Sequence, residues 1–190
     1  MNLPNKLTIL RTVLIPFFLV ALLCDVNYGG FIPYGNWIAL AIFAVASITD
    51  MLDGKIARKY NLVTNFGKFM DPLADKLLVS SAMIAVIELG RIPCWIVILI
   101  IAREFIISGF RLVAADNGVV IAAGIWGKIK TAEQMVMLCI LIADFGSVFP
   151  AADGIHVFEN VLIYLALILT IVSLIDYLVH NKGVLAENNK

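Results

Sequence analysis

Six apolar stretches divide this chain, and their length limits what it can fold into. They run approximately Thr12–Cys24, Asn36–Ile56, Leu73–Leu89, Pro93–Val113, Ile125–Phe145 and Val157–Val179. Most approach the ~20 residues a helix needs to cross the hydrocarbon core of a bilayer. Of 190 residues, 62% are hydrophobic and only 15% charged, which is more apolar than a soluble domain of this size. The expected fold is all-α: a polytopic membrane protein with six transmembrane helices and a short N-terminal interfacial helix, forming one integral-membrane domain over residues 1–190. The first span continues the interfacial helix, which starts near Pro4, a good first-turn residue, and Pro16 is placed to kink it. The third span begins earlier than its apolar core, near Thr64. Lys6 and Arg11 before an apolar run imitate a signal peptide, yet Leu23 is too large for the residue before a lipoprotein cysteine. The segment is read as an uncleaved first helix.

The connections alternate in charge. Asp25–Gly35 and Gly146–His156 carry no Lys or Arg and read as short outer loops, whereas Lys55–Lys68 and Arg103–Lys130 are basic. Of fourteen basic residues only Arg91 falls on the side opposite the others, so the positive-inside rule puts both termini in the cytoplasm. The zero formal net charge argues against a nucleic-acid partner. Cys24, Cys94 and Cys139 lack metal-site spacing and read as small buried hydrophobes. Trp37, Trp95 and Trp126 lie near span ends, as in an aromatic belt.

Against this apolar background stands the pattern Asp50-x2-Asp53-Gly54-x2-Ala57-Arg58-x8-Gly67-x3-Asp71-x3-Asp75. Acidic residues beside a bilayer core are costly and usually functional. Asp50 and Asp53 are spaced i,i+3, and Asp71 and Asp75 i,i+4, so each pair faces one way on a helix. Carboxylates brought ~4 Å apart at an effective dielectric of ~20 repel by about 4 kcal/mol per pair, which protonation or cations must relieve. Hard oxygen donors without Cys or His favour Mg²⁺ or Mn²⁺. The topology places this pattern on the cytoplasmic side, where nucleotide-activated substrates are found.

The pattern resembles the signature of the CDP-alcohol phosphatidyltransferases, integral membrane enzymes of phospholipid synthesis, and fills every fixed position of it. The run Gly67-Lys68-Phe69-Met70-Asp71-Pro72-Leu73-Ala74-Asp75-Lys76 is similar to the bacterial phosphatidylglycerophosphate synthases within that family. The resemblance implies two ions held by Asp50, Asp53 and Asp71, with Asp75 among the metal-facing carboxylates and acting as the general base. It also implies a CDP-lipid site formed by Asn5, Thr8, Asp50, Asp53, Gly54, Ala57, Arg58, Thr64 and Gly67. For Asn5, Thr8 and Arg11, interfacial anchoring and capping are the competing account. Arg103, Arg111, Lys128 and Lys130 form a basic set suited to an acceptor carrying its own phosphate; positive-inside charge with an Arg103–Glu104 neighbour pair is the alternative, and Lys130 has Glu133 at i,i+3 as a partner.

The implied substrates are CDP-diacylglycerol and sn-glycerol 3-phosphate, in a bacterial cytoplasmic membrane, with membrane lipids and a second copy of the chain (a homodimer) as partners. Inositol phosphate or serine are alternative acceptors. A cation transporter is the alternative from another class, but it predicts acids spread through the membrane depth, whereas these cluster at one face.

Overall fold

The computed structural model describes residues 3–59, 65–116, 121, 124–148 and 153–181, without the side chains of 3–6, 50–59, 65–72, 116, 147, 148 and 153. Among the described residues the chain is helical and holds no strand. Its elements are α1 (Leu3–Leu23), α2 (Gly35–Lys59), α3 (Asn65–Glu88), α4 (Cys94–Asp116), α5 (Ile125–Ala143), the short α6 (Phe145–Val148) and α7 (Asp153–His180). Each of the six apolar stretches lies almost wholly in a helix, the fifth broken only at Asp144, and a helix satisfies backbone hydrogen bonds within one segment. α1 runs unbroken from the interfacial residues into the first span, through Pro16, and α3 starts one residue after Thr64. The outer loop expected over Gly146–His156 is shorter, because Gly146 lies in α6 and α7 begins at Asp153. His156 Nδ1 stands 3.4 Å from Glu159 Oε2, an i,i+3 pair that needs helical geometry.

Within α7, Gly154–His180 is long and apolar enough to cross a membrane; the apolar parts of α1 and α2, Leu7–Leu23 and Gly35–Thr49, are shorter. The outward faces are apolar where a soluble helix would carry charge. Phe17 and Val20 on α1, Ile98 and Phe105 on α4, and Val161 and Ile168 on α7 are all exposed. Continuous apolar surface of this kind marks a face that something covers.

The chain clusters into two compact units, Met1–Arg91 with Leu138–Ala152, and Ile92–Met137 with Asp153–Lys190. In the first, α1 packs against α2 and α3; in the second, α4 packs against α7. α1 and α2 form an antiparallel hairpin whose turn depends on Asp25, a fully buried carboxylate. Its Oδ1 accepts from Asn27 N and its Oδ2 from Asn36 N, both at 2.7 Å. The second bond places negative charge on free N–H groups at the start of α2, where the helix dipole favours it. The backbones approach too closely here for larger residues. A Cβ at Gly35 would stand 2.2 Å from the Ala21 carbonyl oxygen, and one at Gly30 2.1 Å from that of Cys24.

This turn is clasped to the end of α5. Asn36 Nδ2 donates to the Ala143 carbonyl at 2.8 Å, satisfying a helix C-terminal acceptor. Asp144 then takes a left-handed conformation, φ 51°, which ends α5. Its carboxylate pairs with Arg91 and accepts from the Tyr28 hydroxyl at 2.7 Å; Trp37 meets Phe145 edge-on at 5.8 Å. Arg91, the one basic residue expected on the outer side, is thereby paired. Burial first, and the bond to Asp144 second, push the Tyr28 phenol up to about 12.

Two outcomes follow from the clasp. Removing one member of a buried ion pair strands the other's charge, so Arg91→Met or Asp144→Asn alone lowers stability by roughly 3 kcal/mol. The double variant loses less than the sum, with a coupling of at least about 1 kcal/mol; additive losses in thermal unfolding would contradict the pair. Because the folded state raises the Tyr28 pKa from 10.0 to about 12, its contribution is complete below pH 10 and lost as pH rises through 12. Wild type minus Tyr28→Phe should therefore show a stability difference that shrinks across that window, and a flat difference would refute it.

Candidate active site

Away from the Asp25 turn, the first unit has a second polar end. On α1 the buried residues Thr8, Arg11, Ile15, Phe18 and Leu22 repeat at three- and four-residue intervals and form one stripe. It is polar toward the N-terminus and apolar beyond. On α2 the buried residues Ala39, Phe43 and Ala46 repeat in the same way, and the next positions in that spacing are 50 and 53. On α3 the buried Leu78, Ala82 and Ala85 lead backward to positions 75 and 71. The four acidic positions thus continue the inward stripes of two helices.

The register of the hairpin brings the polar ends together. The Phe18 and Phe43 rings lie 5.9 Å apart. Arg11 lies seven residues back along α1 and Asp50 seven residues on along α2. In antiparallel helices rising 1.5 Å per residue, both positions lie ~10 Å from the phenylalanine pair, at one level. Thr8 and Arg11 are buried at that end, and Asp75 is half-buried on α3. Asn5, Asp50, Asp53, Gly54, Ala57, Arg58, Gly67 and Asp71 are described only as backbone positions, and Thr64 lies outside the described residues.

Among the described residues no three His, Cys, Asp or Glu side chains are grouped so that they could hold a metal ion. The fit of a metal therefore rests on the helix positions and the donor chemistry. Four carboxylates on inward stripes, without Cys or His in the pattern, suit a hard divalent cation.

The second unit carries the basic set. Arg103 on α4 is 7% exposed, and Lys130 on α5 is fully buried. Both meet one carboxylate oxygen: Glu104 Oε1 accepts from Arg103 Nη1 at 3.0 Å and from Lys130 Nζ at 2.5 Å. Lys130 also donates to Gln134 Oε1. The i,i+3 partner expected for Lys130 is therefore not the one it bonds. Both Glu133 carboxylate oxygens are buried without a hydrogen bond among the described residues, and the long-range Glu104 takes that place. Gln134 was missed, although its i,i+4 spacing from Lys130 could have offered it; Glu104 was expected beside Arg103, but no local spacing joins it to Lys130, 26 residues away. Arg111 stacks over the Tyr177 ring at 5.6 Å, a ring that Phe110 meets edge-on. Lys128 is exposed near the start of α5.

A model of the CDP-alcohol phosphatidyltransferases matches residues 1–172. The chain belongs to that family. It is similar to a CDP-diacylglycerol–glycerol-3-phosphate 3-phosphatidyltransferase of Bacillus subtilis, 43% identical over 99% of both chains. Relatives of the same name occur in Haemophilus influenzae, 40% identical over 98% of this chain and 97% of the relative, and in Rickettsia prowazekii, 40% identical over 93% of each.

Proposed function

We infer that this protein transfers the phosphatidyl group of CDP-diacylglycerol to sn-glycerol 3-phosphate, giving phosphatidylglycerophosphate and CMP, a step of phosphatidylglycerol synthesis. One observation carries the reading. The signature's carboxylate positions continue the inward stripes of α2 and α3, position 50 of α2 at the level of buried Arg11 on α1, in a chain that aligns end to end with relatives of that name. The outward apolar faces support a membrane setting, and the reading is of a polytopic protein with six spans in a bacterial cytoplasmic membrane. In this reading the termini and the site face the cytoplasm, and the working form is a homodimer.

Asp50, Asp53, Asp71 and Asp75 would hold two Mg²⁺ or Mn²⁺ ions, which when bound neutralise diphosphate charge and polarise the phosphorus under attack. Asp75 accepts the proton of the acceptor hydroxyl. The freed oxygen bonds to the lipid-side phosphorus as the bond from that phosphorus to the CMP oxygen breaks, and CMP carries the electron pair away. The Arg58 guanidinium binds phosphate oxygens. Gly54, Ala57 and Gly67 keep the helix surfaces thin beside the nucleotide, and Asn5, Thr8 and Thr64 contact the CDP lipid. Arg103, Arg111, Lys128 and Lys130 supply the positive potential for the acceptor's phosphate.

Purified protein with CDP-diacylglycerol and Mg²⁺ should release CMP with glycerol 3-phosphate and not with inositol phosphate or serine. Asp75→Asn should lower the rate by about 10²- to 10⁴-fold, the usual contribution of a general base. Neutral residues at Arg103, Arg111 and Lys128 should raise the KM for glycerol 3-phosphate more than that for the CDP lipid. Release with another acceptor alone would overturn the substrate. Folded protein that releases no CMP and instead moves cations into vesicles would overturn the enzyme.

A further inference from the structure

The Glu104 cluster does more than place two cations near each other. Lys130 is fully buried, and its ammonium already bonds Glu104 and Gln134. Arg103 is different: Nη1 is held by Glu104, while Nε is buried with no hydrogen-bond partner among the described residues. A guanidinium binds a phosphate or carboxylate through two parallel N–H groups, and the Nε–Nη2 edge is the one Glu104 leaves open. Gly127 lies beside that edge, where even a Cβ would meet Nη2 only at an ordinary contact of 3.5 Å. An anionic oxygen at that edge would satisfy the buried Nε, which is otherwise costly to leave unbonded.

We propose that Glu104 is a positioning residue for the acceptor's phosphate. By anchoring Nη1 of Arg103 and neutralising buried Lys130, it turns the Nε–Nη2 edge of Arg103 toward the phosphate, and Lys130 is a support for that arrangement. The proposal rests on the phosphate-pocket reading above. Formally Arg103, Lys130 and Glu104 sum to one positive charge, which suits a single anionic ligand without gathering two unpaired cations.

The charge arithmetic makes the test sharp. Glu104→Gln keeps the size and an acceptor oxygen but leaves two positive charges. If the cluster acted only through its field, this variant would bind glycerol 3-phosphate more tightly; a positioning role predicts the opposite. The double variant Glu104→Gln with Lys130→Gln restores one positive charge and strands no buried ammonium, so it carries the test even if the single variant does not fold. KM for both substrates would be measured alongside the detergent-solubilised thermal midpoint.

The expected result for both variants is a roughly 10- to 100-fold rise in KM for glycerol 3-phosphate, the range expected when a hydrogen bond to a charged group is lost. The KM for CDP-diacylglycerol should stay within about twofold, because uniform binding of that substrate is untouched. A double variant whose acceptor KM returns to wild type along with its thermal midpoint overturns the proposal, as does a fall in acceptor KM or an equal rise for both substrates. Wild-type protein that does not use glycerol 3-phosphate overturns the functional reading and this proposal together, and the wild-type arm alone reveals it.

Discussion

In the proposed reading, four carboxylate positions that continue the inward stripes of α2 and α3 cannot all carry unopposed charge, and the rest of the site answers that constraint. Mutual repulsion grows as water is excluded, and an uncompensated buried charge would cost more than packing returns. The stripes of α1, α2 and α3 accordingly change character along their length. They are apolar where Phe18, Phe43 and Leu78 are buried and polar where Thr8, Arg11 and the acidic positions lie. Cations are the natural relief for such an end, and a diphosphate brings charge of the opposite sign to those cations.

The opposite end of the same unit solves its polar problem internally. Asp25, Asn36, Asp144, Arg91 and Tyr28 satisfy one another and the exposed helix termini. One end is thus closed by a paired network, while the other holds the positions that the proposed reading assigns to ligands. The second unit repeats the contrast on a smaller scale: Lys130 is consumed by its own network, and Arg103 is only half consumed.

The helices were legible because lipid-length apolar runs have one common solution. The carboxylate spacing was legible because i,i+3 and i,i+4 steps keep one face whether or not the partner helix is known. Arg91 read as an exception to the charge pattern, since its partner Asp144 lies at a helix end that no local spacing connects to it. Lys130 was given its neighbour Glu133, because periodicity reveals partners on the same helix only; the bond to Glu104 depends on tertiary packing. The loop before α7 was overestimated because Gly154 and His156 are poor helix signals, although the His156–Glu159 pair sits comfortably in the first turns of α7.

The central claim is that the inward carboxylates of α2 and α3 hold divalent ions, and direct ion binding tests it without any substrate. Purified protein in detergent would be titrated with Mn²⁺ while the free ion is followed by electron paramagnetic resonance, in wild type, Asp53→Asn and Asp71→Asn. The account predicts saturable uptake approaching about two ions per chain, displaced by excess Mg²⁺ and reduced in each variant. Uptake that is equal in all three proteins would contradict it.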